Sequence, residues 1–231
     1  MNSSELKILA CIFMLIDHIG AVLYPDVSIL RIIGRLAFPI FVYFIAEGYR
    51  KTKDITDYMG RLLTFALISQ LAFNAAFLGS ATKPRELYLN VFFTLAMGLY
   101  SLYLYDKNKK IVYVILIALV CEFLNTDYGA FGVLLIFVSN RYYDNFKKLS
   151  TSYVVLMLLY VIQWLITVKL ANPSVLLVDI IFKHFTIEPV ALLSLIFLKL
   201  YNGKRGWKVK YLFYIFYPVH LFILSLINRL Q

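Results

Sequence analysis

Long apolar runs separated by short polar segments set the pattern of this chain. The apolar runs fall at about 6–24, 28–49, 57–78, 86–105, 111–125, 129–143, 151–170, 186–201 and 211–228. A helix rises 1.5 Å per residue, so roughly 20 apolar residues cross the hydrocarbon core of a bilayer. The pattern therefore predicts an all-α fold, a polytopic transmembrane helical bundle of about nine transmembrane helices. The fifth and sixth runs are short, and Thr126-Asp127-Tyr128-Gly129 separates them, which predicts tilted helices or a tight hairpin. Residues 174–185 leave two readings open. Pro173 and Pro189 bracket them, and Asp179, Lys183 and His184 interrupt the apolar pattern. Either they cross, or they form a re-entrant or interfacial helix, with His184 and Asp179 at the interface. No internal repeat, low-complexity tract or linker divides the chain, so residues 1–231 read as a single integral-membrane domain.

Composition sharpens this. With 61% hydrophobic and 16% charged residues there is too little polar surface to coat a soluble domain. The two cysteines, Cys11 and Cys121, lie inside apolar runs, and neither a disulfide framework nor a zinc spacing can be built from them. The opening MNSSELK lacks the basic region and cleavage site of a signal peptide, so the first run is expected to stay in the membrane. The net charge of +10 sits in short segments: Arg50, Lys51 and Lys53; Lys107, Lys109 and Lys110; Arg141, Lys147 and Lys148; Lys204, Arg205, Lys208 and Lys210. These follow the second, fourth, sixth and eighth runs. That alternation is the signature of cytoplasmic loops. It predicts a cytoplasmic N-terminus and an external C-terminus, with membrane lipid and not nucleic acid as the partner of the charge. Lys83, Arg85 and Lys169 fall on the outer side as exceptions.

Polar residues within the runs carry the candidate chemistry, because ionisable groups in membrane helices are costly. Asp17 and His18 lie about ten residues beyond Lys7, roughly 15 Å deep. Neighbouring positions differ by about 100° around a helix, so the two side chains face different directions. Arg31 and Arg35 stack four apart and need an anion between them, for which Asp17 is the nearest in depth. Glu47 closes that run. Gln70 and Asn74, then Asn90 and Thr94, are four apart; Tyr217 and His220 are three apart. These stripes would line a polar cavity if they face inward together, or hydrogen-bond neighbouring helices if they do not. In the last basic loop, Asn202, Gly203, Lys204 and Arg205 could cradle phosphate or simply report topology against anionic lipid. No metal-ligand spacing is present.

Several stretches carry a resemblance. IDHIGAVLYP, RIIGRLAFPIFVYFIAEGYRKT, RLLTFALISQLAFN, LNVFFTLAMG, YGAFGVLLI and YNGKRG followed by KYLFYIFYPVHLFIL resemble the TraX family of bacterial membrane proteins. The likeness is close over residues 6–98 and 186–225, whereas between 106 and 185 only YGAFGVLLI carries it. The family's founding context is conjugation and pilus biogenesis, where pilin acetylation occurs at its N-terminus. TraX proteins are in turn distantly similar to type-3 bacterial O-acyltransferases and heparan-α-glucosaminide N-acetyltransferase. These hold a histidine in the first core helix and use cytoplasmic acetyl-CoA, and His18 occupies the comparable place.

The resemblance implies an acyltransferase, with acetyl-CoA as donor and an amine or hydroxyl acceptor at the outer face: a peptide N-terminus, a glycan or a lipid-linked group. His18 would be the general base or a transient acyl carrier. Asp17 would orient the site. Arg31 or Arg35, with Asn74 and Asn90, would stabilise the oxyanion. Gln70, Thr94, Tyr217, His220 and Glu47 would contact substrate, and Asn202, Gly203, Lys204 and Arg205 would hold CoA phosphate. Two rivals stand beside this: a proton-coupled transporter or flippase, and a non-enzymatic membrane assembly factor.

Overall fold

In the computed structural model, residues 1–77, 88–171, 187–207 and 211–230 are described. Among them are ten α-helices: α1 (Ser3–Val22), α2 (Ser28–Gly34), α3 (Ala37–Lys51), α4 (Ile55–Phe77), α5 (Val91–Asn108), α6 (Val112–Phe123), α7 (Gly129–Arg141), α8 (Phe146–Ala171), α9 (Ser194–Leu200) and α10 (Leu212–Leu230). The described residues hold no strand, only an isolated bridge between Leu89 and Thr126. Among the described residues, four stretches are long and apolar enough to cross a membrane: α2 with α3, α4, α8 and α10. Helices α6 and α7 are apolar but shorter. Residues 174–185, Lys83, Arg85, Lys208 and Lys210 fall outside the described residues.

Local chemistry explains where the helices start and break. Asn2 and Glu5 form a capping box at the head of α1, each side chain bonding the other's backbone N–H at 3.0 Å. The second apolar run is not one helix. It breaks at Arg35–Leu36, four residues before Pro39. Proline has no N–H for the carbonyl four residues back, and its ring crowds that carbonyl, here Arg35. The eighth run also differs from the sequence pattern. It opens with a 3₁₀ turn, Glu188–Leu193, with Pro189 at its start, and only then becomes the seven-residue α9. Together these cover roughly 22 Å, less than the hydrocarbon thickness.

The packing has its apolar surface outermost. Nearly every residue of α3 from Ala37 to Glu47 is buried, with α1, α5 and α7 against it. By contrast α8 buries only a stripe four residues apart, Leu149, Tyr153, Met157 and Val161, and exposes Leu158, Leu159, Ile162 and Ile166. Helices α6 and α10 likewise expose Leu119, Phe123, Val219 and Phe222. Such a continuous apolar exterior suits hydrocarbon, not water.

The described residues of all four basic segments gather at one end of the bundle with the N-terminus. Arg50 pairs with Asp144 at 2.6 Å and Tyr49 donates to Asp106 at 2.7 Å. The Met1 ammonium donates to the Leu200 carbonyl at 2.8 Å, and the Ser3 amide to the Lys204 carbonyl at 2.8 Å. At the opposite end the Leu89–Thr126 bridge joins the loop before α5 to the α6–α7 turn.

Candidate functional site

One cavity of about 780 Å³ runs between these ends. Lys7, Lys51, Arg61 and Arg205 line it at the basic end; His18, Phe92 and Tyr217 at mid-depth; Asp17, Arg31, Arg35 and Asp127 toward the opposite end. Its volume is within the roughly 300–1,000 Å³ usual for small-molecule sites. Of the α1 residues that line it, Ser4, Lys7, Met14, His18 and Ala21 share one face by spacings of three, four and seven residues, and Ser3, Asp17 and Gly20 flank them.

Beyond mid-depth, Asp17 lies between the two arginines. Arg31 pairs with its carboxylate in a short contact and also donates to the Asp17 carbonyl at 3.1 Å. Arg35 reaches the same carboxylate at 3.1 Å, the Tyr128 hydroxyl at 3.3 Å and Glu188 at 3.5 Å. Two positive and two negative groups therefore meet here. Tyr128 adopts a left-handed backbone (φ 64°), unusual for a bulky residue, and stacks flat on Phe38 with centroids 3.5 Å apart. Gly34 permits this geometry, because a Cβ there would collide with the backbone and side chain of Asp17.

His18 turns the other way. Its Nδ1 meets Nε2 of His220 at 2.6 Å, and Nδ1 of His220 meets the Phe216 carbonyl at 2.6 Å. A carbonyl can only accept, so Nδ1 of His220 carries hydrogen. With both rings neutral, His220 Nε2 then accepts from His18 Nδ1, and the His18 lone pair is on Nε2. His18 lines the cavity, whereas His220 stands behind it. The rings of Tyr217 and Phe77 lie 5.9 Å and 5.8 Å from His18, edge-on.

At the basic end Glu47 is a buried hub. Its Oε1 accepts from Lys51 at 2.8 Å, Tyr143 at 2.7 Å and Tyr201 at 2.8 Å. Burial and the Glu47 carboxylate hold the Tyr143 and Tyr201 phenols above the usual tyrosine range, so both remain donors. Lys7 lies over the Phe44 ring, 4.6 Å from its centroid. Glu47 thus borders the cavity at the end opposite Arg31 and Arg35.

The remaining sequence candidates do not line the cavity. Gln70 donates to Asn74 at 2.8 Å and to the Tyr88 carbonyl at 2.9 Å, and its oxygen accepts from the Asn90 backbone and side chain at 3.0 and 2.8 Å. Asn90 in turn caps α5, accepting from the Phe92 amide at 3.0 Å. Thr94 bonds Thr126 at 3.0 Å and the Asp127 carbonyl in a short contact. These groups tie α4, the head of α5 and the α6–α7 turn together. In the 201–207 loop only Arg205 and Trp207, besides Tyr201, face the cavity; Asn202, Gly203 and Lys204 do not. The Asn202 amide bonds the Met1 carbonyl at 2.9 Å, and the Lys204 amide bonds Asn202 Oδ1 at 3.0 Å. Ser4 donates to the Arg205 and Trp207 carbonyls at 3.2 and 2.8 Å, and Gly206, at φ 69°, abuts Asn2 and Ser4 where no side chain would fit. The loop therefore clasps the N-terminus, and two of the amides expected to cradle phosphate are already bonded.

Sequence reasoning passed over Lys7, Arg61, Trp207, Asp127, Tyr128 and Glu188. Lys7 was detectable, since it lies eleven residues, about three helical turns, before His18. The described residues hold no cluster of three His, Cys, Asp or Glu side chains placed to bind a metal.

Apolar helices around a polar, charge-lined cavity define a membrane-protein bundle. The chain belongs to the TraX family: residues 2–228 match the family described as TraX protein. It is 30% identical over 236 residues to the probable fimbrial assembly protein FimC, serogroup H1, of Dichelobacter nodosus, covering 96% of this chain and 94% of that one. It is also 45% identical over 67 residues to an uncharacterised protein of Rickettsia prowazekii (strain Madrid E), covering 29% of this chain and 25% of that one. No solved structure matches.

Proposed function

We propose that this protein is an integral-membrane acyltransferase. It moves an acetyl group from cytoplasmic acetyl-CoA to an amine or hydroxyl acceptor at or beyond the outer face of a bacterial inner membrane. The observation that carries the reading is a cavity with cations at one end, an ion-paired carboxylate at the other and His18 between them, backed by His220. The N-terminus and basic loops lie in the cytoplasm, with about nine crossings between the two faces. The family and the fimbrial assembly relative support a role in pilus-related processes, with a pilin N-terminus as the acceptor that the TraX resemblance implies.

Lys7, Lys51, Arg61 and Arg205 hold the donor's phosphates, which their charge and position suit better than the loop amides do. Trp207, 76% exposed at that end, offers a face to adenine. His18 Nε2 takes the proton of the attacking amine or hydroxyl, while His220 and the Phe216 carbonyl fix the ring's tautomer and angle. The Asp17–Arg31–Arg35 cluster orients the acceptor at the far end.

Purified protein in nanodiscs, given acetyl-CoA labelled in the acetyl group, tests this. Wild type should bind the donor and release labelled acetate slowly or pass it to an added amine. His18→Ala should slow that step by about 10²–10⁴-fold and keep donor binding. Equal turnover in the variant removes His18 from the chemistry. A continuous cavity also suits transport, and proton-dependent uptake into vesicles without donor turnover would make it a permeation path.

A further inference from the structure

A base alone does not complete this site. When an amine or hydroxyl adds to a thioester carbonyl, the carbonyl oxygen takes up a negative charge, and in a membrane interior that charge needs a waiting donor. Arg31 and Arg35 are engaged with Asp17, Tyr128 and Glu188 toward the far end of the cavity, with the buried Arg35 Nε left without a hydrogen-bond partner. Tyr217 offers the alternative. It is 2% exposed, it lines the cavity at the depth of His18, and its hydroxyl oxygen is buried without a hydrogen-bond partner. A buried hydroxyl left unbonded is unfavourable and calls for an explanation, which a bound ligand supplies.

Its position is fixed by rings on three sides: Phe92 at 5.3 Å, His220 at 5.7 Å and His18 at 5.9 Å between centroids, each nearly edge-on. Val91, the first residue of α5 and the neighbour of Phe92, also lines the cavity. The neighbouring amides are used, Phe92 by the Asn90 side chain and Phe93 by the Asn90 carbonyl. The positive end of an 18-residue helix thus meets the cavity beside an unbonded phenol.

We propose that Tyr217 is a catalytic residue whose hydroxyl donates to the carbonyl oxygen of the acyl donor as the tetrahedral intermediate forms. The assignment rests on the acyl-transfer reading. The acceptor's nitrogen or oxygen bonds to the carbonyl carbon, and the C=O π pair moves to the oxygen, held by Tyr217. His18 takes the acceptor's proton. Collapse re-forms C=O, breaks the C–S bond and expels CoA thiolate, which receives the proton from His18.

The test compares wild type with Tyr217→Phe, full-length in nanodiscs, by release of labelled acetate from acetyl-CoA and by acetyl-CoA affinity. Phenylalanine keeps the ring packing. The rate should fall by about 10²–10³-fold while affinity changes less than about twofold. A rate equal to wild type overturns the role of Tyr217 alone, and so does a parallel loss of rate and affinity, which marks packing. No turnover in wild type removes the acyl-transfer reading and this assignment with it. A second measurement holds even where the variant folds poorly. The carbonyl stretch of ¹³C-acetyl-CoA should move to lower frequency on binding wild type, and an unshifted band overturns the proposal.

Discussion

Asp17 holds two arginines at unequal depth, and this makes its energetics testable residue by residue. The Asp17 and Arg35 side chains are 12% and 11% exposed, whereas that of Arg31 is 30% exposed. Removing one member of a buried ion set leaves an uncompensated charge and costs about 3–5 kcal/mol, while a partly solvated arm is worth about 1 kcal/mol. Asp17→Asn should therefore destabilise most, Arg35→Gln nearly as much, and Arg31→Gln least, read from thermal unfolding in detergent. If Arg31→Gln costs as much as Arg35→Gln, this ranking is wrong. The stacking of Arg31, Arg35 and Asp17 was legible in the sequence, because rise and rotation per residue fix depth and direction along a helix. The His18–His220 contact was not, since it joins positions 202 residues apart. Gln70, Asn74 and Asn90 show the same limit. Their spacing reveals a polar stripe, but whether a stripe faces a cavity or a neighbouring helix depends on packing that periodicity does not encode.

Between elements, the α1–α2 approach decides the geometry of the cavity's far end. Gly34 lies against Asp17 so closely that a Cβ would overlap both its backbone and its side chain. Backbone cannot yield as a flexible side chain can, so Gly34→Ala should push α2 outward, loosen the arginine pairs and cost about 1–3 kcal/mol. Gly60 in α4 is the matched control, with nothing within 4 Å of the added carbon. There alanine should be neutral or stabilise by up to about 1 kcal/mol through helix propensity. Paired unfolding midpoints check both, and equal effects would show that helix packing at Gly34 is softer than its contacts imply. Helix boundaries were legible where a residue enforces them, as Asn2 and Glu5 do for α1. The break at Arg35 was half legible: Pro39 announces a disturbance, but it acts on the carbonyl four residues earlier.

For the whole molecule, the proposed orientation follows from where the basic loops meet. The loops around Arg50, Asp106, Asp144 and Lys204 share one end with Met1, held by the Arg50–Asp144 and Tyr49–Asp106 contacts and the N-terminal clasp. With that end cytoplasmic, an odd number of crossings carries the last residues of α10 outside. Single cysteines test this against a quiet background, because Cys11 and Cys121 are 5% and 0% exposed. In sealed right-side-out vesicles, an impermeant maleimide should label Arg229→Cys and Asp26→Cys directly. It should label Lys53→Cys, Lys109→Cys and Lys147→Cys only after permeabilisation. Protection of position 229 would make the crossing number even and reverse α10. His220 and Tyr217 would then enter the cavity from a helix running the other way, which their contacts with His18 on α1 do not allow. Labelling at 229 therefore bears on the site as well as on the topology, since the two share one helix direction.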